Sequence, residues 1–569
     1  MTTRLIESLM PHLMMAPILA PLVSSAVMLL LGDSRRPLKR ALNALSCLLG
    51  LAVALALLMW TVQSGQPQTL GVYLPGNWSM PYGIVLVLDP LAALMLVLTA
   101  LLGVAGMSYA SARWDRAGVH FHSLFQMQLM GLNGAFLTAD LFNLFVFFEI
   151  MLCASYGLLL HGSGRARVLS GLHYIAINLL ASTLFLIGLA ILYGVTGTLN
   201  MADMALMVPA IGEADRGLLH AGAAILAIAF LVKAGSWPVN FWLAPAYASA
   251  SAPVAALFAV MTKLGVYAVL RLWTLLFAPD AGISAQFGAA ALLWLGLLTL
   301  GVGAICVLAT QNLNRMAASC VIVSSGTVLA AIGFGQSAIT AGALYYAVGS
   351  TLAVSALFLV IEMIERSRET EESALYVSEV EPEQAFAFPV DLMPPPDINL
   401  DENEGPLIGH AIPAAMAFLG LAFAACTLTM AGLPPFSGFV GKVAMLGALL
   451  NIGAASGAPD SATAVPTAAW VLMALLIISG LLTTLAFSRA GLRYFWAPRG
   501  RPTPTLRVVE TVPVAALLLM IALLVWQAEP ALAFARVAAN GLHNPANYIN
   551  HVVAAQPRPA PAHKTATPP

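Results

Sequence analysis

The sequence predicts an all-α polytopic membrane protein of about fourteen transmembrane helices, with two inverted five-helix repeats whose fourth members, helices 7 and 12, are broken. Three observations predict it. The 569 residues are 60% hydrophobic and only 9% charged, where a soluble domain carries about 25% charged residues. Apolar runs of about 20 residues, the length that crosses a bilayer, recur along nearly the whole chain. Two of those runs are interrupted by glycine and proline beside a lysine. A chain this poor in polar side chains cannot cover a water-facing globule. Its net charge of −1 carries no nucleic-acid signal.

In order, the expected spans lie at 13–31, 41–62, 84–107, 121–138, 140–161, 170–195, 219–243, 253–277, 285–309, 316–334, 338–364, 411–450, 467–488 and 510–527. The 411–450 region is long for one span and is read as one helix broken at Pro434 and Pro435. The first run reads as a span, not as a cleavable leader, because little positive charge precedes it. Alternate loops are basic: Arg35, Arg36, Lys39 and Arg40; Arg113 and Arg116; Arg165 and Arg167; Arg315; and Arg489 to Arg507. Loops 63–83, 278–284 and 451–466 have no Lys or Arg, and 196–218 has only Arg216. The positive-inside rule then puts the basic loops in the cytoplasm and both termini outside.

A long acidic loop is expected at 365–410, with Glu369, Glu371, Glu372, Glu379, Glu381, Glu383, Asp397, Asp401, Glu402 and Glu404 around Pro394 to Pro396. Its composition predicts mobility or a docked partner. The Pro/Ala-rich tail from Pro557 is expected to be disordered. Cys47, Cys153, Cys306, Cys320 and Cys426 lie in or beside apolar runs without metal-ligand spacing. They read as small buried hydrophobes, with no disulfide framework and no metal site.

The lysines carry the functional signal. Of 25 Lys and Arg, only five are lysine, and Lys233, Lys263 and Lys442 lie inside apolar spans; no arginine is expected comparably deep. Each costs about 2.5–3.5 kcal/mol near the bilayer centre on insertion scales. A lysine can be set by burial and by a nearby carboxylate to gain and lose a proton, which arginine cannot. Lysine inside and arginine outside is the choice proton transfer requires. The bland alternative, snorkelling or a static ion pair, is harder to sustain for three lysines than for one. Glu149 is the deep acid, and a Glu149–Lys233 pair would offset part of both desolvation costs. Asp89 and Glu362, nearer span ends, read as hydrated interfacial carboxylates.

Helix breaks supply the second half of the signal. Lys233 is followed by Gly235 and Pro238, and Lys442 is preceded by Gly432, Pro434, Pro435, Gly438 and Gly441. Proline removes a backbone donor and glycine loosens the helix. Interrupted spans in corresponding halves mark the ion site of many transporters. Five spans per unit is odd, so consecutive units would insert with opposite topology. His173 and Asp140 are weaker relay candidates, and Tyr174, Asn178, Ser182, Tyr345 and Tyr346 either line a hydrated path or bond between helices.

At these residues the chain resembles the proton-translocating antiporter family, which includes Mrp-type (Pha, Mnh) multisubunit cation/proton antiporters and the antiporter-like subunits of respiratory complex I. The stretch AGLPPFSGFVGK, 431–442, carries the resemblance most strongly, and it extends over about 80–550. Within the family the chain most resembles the D-type subunits of the Mrp group, through ADLFNLFVFFEIMLCASYGLLL, LYGVTGTLNMADMA, FWLAPAYASASAPVAALFAVMTKLGVYAVLR and LHNPANYINHVV. The resemblance implies that Glu149, Lys233, Lys263 and Lys442 are its proton-transfer residues. Departures fall at Asn314, where the family often has a basic residue, and near Ser324 and near Gly349, where it often has histidine.

The expected organisation is helices 1–3 in 1–110, a first repeat in 111–277, a second in 278–490 with the acidic loop, and a last helix with the tail in 491–569. The expected function is that of a proton-translocating subunit of a multisubunit Na⁺(K⁺)/H⁺ antiporter in the bacterial inner membrane, driven by the proton motive force. It would sit among other subunits and membrane lipid, and carry no cofactor or metal. The alternative is a proton-pumping subunit of a redox complex of the complex I or membrane hydrogenase type. In either case the chain has no redox-cofactor motif and is not itself an enzyme.

Overall fold

A computed structural model describes residues 10–32, 35–63, 70–379, 414–452, 465–495 and 506–557. Helices lie at every expected position. They are α1 Ala16–Leu30, α2 Arg36–Gln63, α3 Pro90–Ala110, α4 Phe121–Leu137, α5 Leu141–Leu159 and α6 Arg165–Thr196, then α7 in two pieces, Glu213–Ala234 and Leu243–Ser249. There follow α8 Ala252–Leu276, α9 Ala289–Ala309, α10 Leu313–Gly333, α11 Ser337–Glu379, α12 in two pieces, Ala414–Ala431 and Ser437–Leu450, α13 Thr467–Phe495 and α14 Val508–Trp526. Among the described residues, twelve helices are long and apolar enough to cross a membrane, a number compatible with the expected fourteen. The second piece of α12, 14 residues, reaches only about 21 Å at 1.5 Å per residue, too short to cross alone. A two-stranded hairpin, β1 Gly71–Tyr73 with β2 Leu86–Leu88, precedes α3.

Only helices can cross lipid here, because each must satisfy its backbone internally. What distinguishes them is where they sit. Almost every residue of α8 is buried, and α10 and most of α11 are nearly as enclosed. The rim helices α1, α2, α6 and α13 instead keep large apolar side chains exposed, as lipid-facing surfaces do. Close packing of α9 on α10 rests on small residues; a Cβ at Gly333 would lie 2.5 Å from the Cα of Leu293.

Both broken helices fail in the same way. The first piece of α7 ends at Ala234, and Gly235 takes a left-handed φ of +68°. The first piece of α12 ends at Ala431, and Gly432 takes φ of +77°. Three residues on, each break has a cis proline, at Trp237–Pro238 and Pro434–Pro435. LVKAGSWP and LTMAGLPP thus align residue for residue, an arrangement compatible with two related units.

Several expectations need correction. Helix α11 runs on to Glu379, so the acidic loop begins as helix; side chains from 368 onward in it, residues 380–413 and the tail from 558 lie outside the described residues. Cys153 is exposed and Cys306 half-buried, and only Cys47, Cys320 and Cys426 are buried; facing lipid satisfies a thiol as well as a core does. Asp89 is not hydrated. It caps α3 by accepting from the amide of Ala92 at 2.8 Å and pairs with Arg271 of α8 at 2.7 Å, both side chains 8% exposed. Arg271 is therefore a buried arginine within a span, with its guanidinium against the rings of Tyr267 and Tyr548. Glu362 is also engaged, accepting from the indole of Trp114 at 2.8 and 2.9 Å.

Tyr548 belongs to the C-terminal segment, where α15 Ala528–His543 and α16 Ala546–Val553 fold back onto the bundle. His543 closes α15 against α11 through a 2.9 Å hydrogen bond between its Nε2 and the hydroxyl of Thr340. Burial pushes this imidazole down to about 4, below the usual value of about 6.5. The folded state therefore binds fewer protons than the unfolded chain between those values, and the attachment weakens as pH falls from about 6.5 toward 4. Protection factors of the α15 amides, exchange rates referred to the intrinsic rate at each pH, should fall over that interval in the wild type and stay flat in His543→Gln.

Candidate functional site

Glu149 lies one residue beyond the buried Phe148 of α5, on the edge of the core, and is half-buried, not fully enclosed. Lys233 is buried, on the last turn of the first piece of α7, two residues before the left-handed Gly235 that ends it. The two do not form a direct ion pair. Ser182 of α6 stands between them: the Lys233 Nζ donates to Ser182 Oγ at 3.3 Å, and Ser182 Oγ donates to Glu149 Oε1 in a short hydrogen bond. Phe148, Phe185 and Phe230 pack edge to face or tilted around this trio, with the Lys233 amine 5.1 Å from the Phe148 centroid. The aromatic wall excludes water from one side, which strengthens the electrostatic coupling between acid and amine.

Ser182 ends a stripe on α6. Ser170, Tyr174, Asn178 and Ser182 recur every four residues and are all buried, so they share one face of the helix. Ser170 Oγ meets Ser249 Oγ at 2.5 Å, at the end of the second piece of α7, and Tyr174 Oη meets Ser155 Oγ at 2.7 Å. His173, one residue off the stripe, is exposed and bonds only the Leu169 carbonyl of its own helix, at 2.9 Å. Asp140 caps α5, accepting from the amide of Asn143 at 2.8 Å. Burial pushes its carboxyl up, opposed by the amides of Asn143 and Phe142.

Lys263 sits at the middle of the enclosed helix α8. Its amine donates to Ser324 Oγ at 2.9 Å and to Ser325 Oγ at 3.4 Å, and Ser324 Oγ meets Ser350 Oγ at 2.7 Å. The position that departs from histidine thus still offers a hydrogen-bonding group, and Ser350 of α11 extends it. At Gly349 a Cβ would lie 2.6 Å from Ser437 Oγ, so a larger side chain there would have to displace the serine side chain. Ser437 Oγ is buried without a hydrogen-bond partner. Groups of this kind in a protein interior are commonly met by ordered water. Asn314 donates to Glu365 Oε2 at 2.9 Å.

Lys442 is on the second piece of α12, but its amine reaches back across the break. It donates to the carbonyls of Ala431 at 2.8 Å and Leu476 at 3.2 Å. The side chain crosses Gly432, where a Cβ would come within 2.8 Å of Lys442 Cε. Lys442 therefore pairs with two backbone carbonyls, one at a helix end and one within α13, Lys263 with hydroxyls, and Lys233 with a hydroxyl leading to a carboxylate. Among the described residues, no cluster of three or more His, Cys, Asp or Glu could hold a metal. Sequence reasoning missed Ser350 and the two carbonyls, and gave Ser182 no special place; the four-residue spacing on α6 is the signal that marks it.

Residues 138–382 match a protein family described as NADH:quinone oxidoreductase/Mrp antiporter, TM. The D subunit of a probable K(+)/H(+) antiporter of Rhizobium meliloti (strain 1021) is 48% identical over 545 residues, 96% of this chain and 98% of its own length. The D subunit of a Na(+)/H(+) antiporter of Alkalihalophilus pseudofirmus is 31% identical over 552 residues, covering 96% of this chain and 100% of its own. A chain in the structure of the Mrp complex from Dietzia sp. DQ12-45-1b superposes with a TM-score of 0.76 at 25% identity, over 96% of this chain and 100% of that one.

Proposed function

Because the chain belongs to the family of D-type cation/proton antiporter subunits, we propose that it is the proton-translocating subunit of a multisubunit Na⁺(K⁺)/H⁺ antiporter driven by the proton motive force. The single observation that carries this is the Lys233–Ser182–Glu149 chain of hydrogen bonds in an apolar, membrane-embedded setting. A hydroxyl both accepts and donates. Ser182 therefore takes a proton from the amine as it gives its own to the carboxylate, and no ion has to cross the gap. Tilting the short second piece of α7, which is tied to α6 through Ser170–Ser249, alters that geometry and with it the preference for one protonation state.

Lys263 relays protons centrally, through Ser324 and Ser350, and Lys442 is the end of the second half-path. The unpartnered Ser437 hydroxyl, with the buried Tyr346 hydroxyl, supports a water-holding interval between them. The two units of this arrangement are α4 to α8 and α9 to α13, inserted with opposite topology. The chain sits in the bacterial inner membrane with its basic loops in the cytoplasm and both termini outside. Other subunits cover its flanks, and the half-buried Glu149 supports such a contact, since a carboxylate bordering lipid is costly. It has no redox chemistry of its own.

Membrane vesicles carrying the whole operon test the reading. Imposing a proton gradient should drive Na⁺ or K⁺ movement, read by dequenching of a pH-sensitive dye on cation addition. Lys233→Ala should abolish the response while the complex still assembles. Normal antiport in that variant would reject the proposal, and proton movement that depends on an electron donor would favour a redox pump.

A further inference from the structure

We infer that Thr299 of α9 is a positioning residue, which ties the break beside Lys233 to the helix pair that presents hydroxyls to Lys263. The inference rests on the reading of the chain as an antiporter subunit and adds what links its two central amines. The first observation is the backbone at the break. In an unbroken helix the amide of Trp237 would donate to the carbonyl of Lys233, four residues back. Here it donates to Thr299 Oγ1 at 2.9 Å. The Ser236 hydroxyl meets the same oxygen at 2.9 Å, and Thr299 gives its own hydrogen to the Leu295 carbonyl at 2.6 Å. A hydroxyl has one hydrogen and two lone pairs, so every bonding capacity of this one is in use. Thr299 and Ser236 are both fully buried.

The second observation is that α9 and α10 meet backbone to backbone on either side of Thr299. A Cβ at Gly296 of α9 would lie 2.7 Å from the Cα of Ala330, and one at Gly326 of α10 would lie 2.9 Å from the Cα of Leu300. No side chain cushions the pair there, so a shift of Thr299 passes directly to α10. Gly326 directly follows Ser324 and Ser325, whose hydroxyls accept from the Lys263 amine. From the break to Lys263 the link thus runs through Thr299, the α9–α10 contact and the two serines. Every step in it is a hydrogen bond or a close backbone approach.

The third is that only one break calls for this anchor. In LTMAGLPP the residue in register with Trp237 is Pro434, which has no N–H to place. The demand for an outside acceptor is therefore specific to the half that carries the Lys233–Ser182–Glu149 chain. Valine in place of Thr299 would keep the shape of the side chain and leave the Trp237 amide and the Ser236 hydroxyl without their acceptor. An orphaned buried donor is costly, so the break would re-seat to find another. Lys233, three residues before Ser236, would move with it against Ser182.

Initial antiport rates in vesicles, taken per assembled complex, test the inference. Thr299→Val should lower the rate by about tenfold, within the range of ordinary site-to-site coupling. Thr299→Ser, which restores the hydroxyl, should recover most of the loss. Double-variant cycles separate positioning from a general loss of stability, because changes acting through one network do not multiply. Thr299→Val combined with Ser182→Ala, and separately with Ser325→Ala, should fall no further than the slower of the two single variants. Ser236→Ala leaves the Trp237 amide satisfied and serves if the valine variant fails to assemble; it should show a smaller loss and the same two couplings. A wild-type rate in the variant that assembles, or losses that multiply in either cycle, would overturn the role of Thr299. That result leaves the antiport reading standing, whereas antiport persisting in Lys233→Ala would sink the reading itself.

Discussion

Glu149→Gln should cut antiport by at least about a hundredfold, the scale on which a positioned proton-transfer group acts. The amide keeps the size of the side chain and can still accept from Ser182 through its carbonyl oxygen. It cannot take the proton. Packing against the phenylalanine wall is untouched, so the complex should assemble in normal amounts. Ser182→Ala separates relay from charge. It leaves acid and amine in place but removes the hydroxyl through which they meet, so antiport should fall by about tenfold or more. Ser182→Thr, which restores the hydroxyl, should recover most of the loss. The checks are initial rates in vesicles and the immunoprecipitated yield of partner subunits. Glu149→Gln with full activity would remove the acid from the mechanism, and unimpaired Ser182→Ala would mean that the amine and the acid meet directly during turnover.

Asp89→Ala should be the most damaging single change to stability. It strips the cap of α3 and leaves Arg271 buried without its carboxylate. Breaking a buried pair from one side costs about 3–5 kcal/mol. Arginine cannot escape by shedding its proton. Losing the cap adds roughly 1 kcal/mol. Arg271→Met should be milder, because Asp89 keeps its bond to the Ala92 amide and a carboxyl can protonate. The double variant Asp89→Ser with Arg271→Met should be more stable than Asp89→Ala alone. Thermal unfolding in detergent, followed by size-exclusion fluorescence, ranks the three. An Asp89→Ala protein as stable as wild type would show that the pair contributes little.

Much of the architecture was legible in the sequence because lipid imposes a simple rule. Each crossing must be a long apolar helix, so hydropathy alone locates it, and Pro238, Pro434 and Pro435 mark the two breaks because proline cannot continue one. The three lysines stand out by type against an arginine background. What could not be read are relations across the fold. Asp89 and Arg271 are 182 positions apart, and nothing local distinguishes a paired carboxylate from a wet one. The Glu149–Lys233 separation was equally hidden, so the bridging serine on a third helix was one polar residue among many. His173 and Tyr174 are neighbours in sequence with opposite fates, since a 100° turn of the helix puts one outside and the other in the core. Cys153 followed the same logic, because the lipid surface accepts a thiol that composition alone assigns to the interior.

The enclosure of α8 has a consequence for how such a machine could move. A rod gripped on every side along its length can neither swing nor slide without disturbing all its neighbours at once. It behaves as a stator, and on the proposed reading Lys263 would be a fixed waypoint on it. Motion is then least hindered along the exposed outer faces of α5, α6 and α13. That is also where neighbouring subunits would press, so assembly and turnover would be governed by the same shell of the molecule.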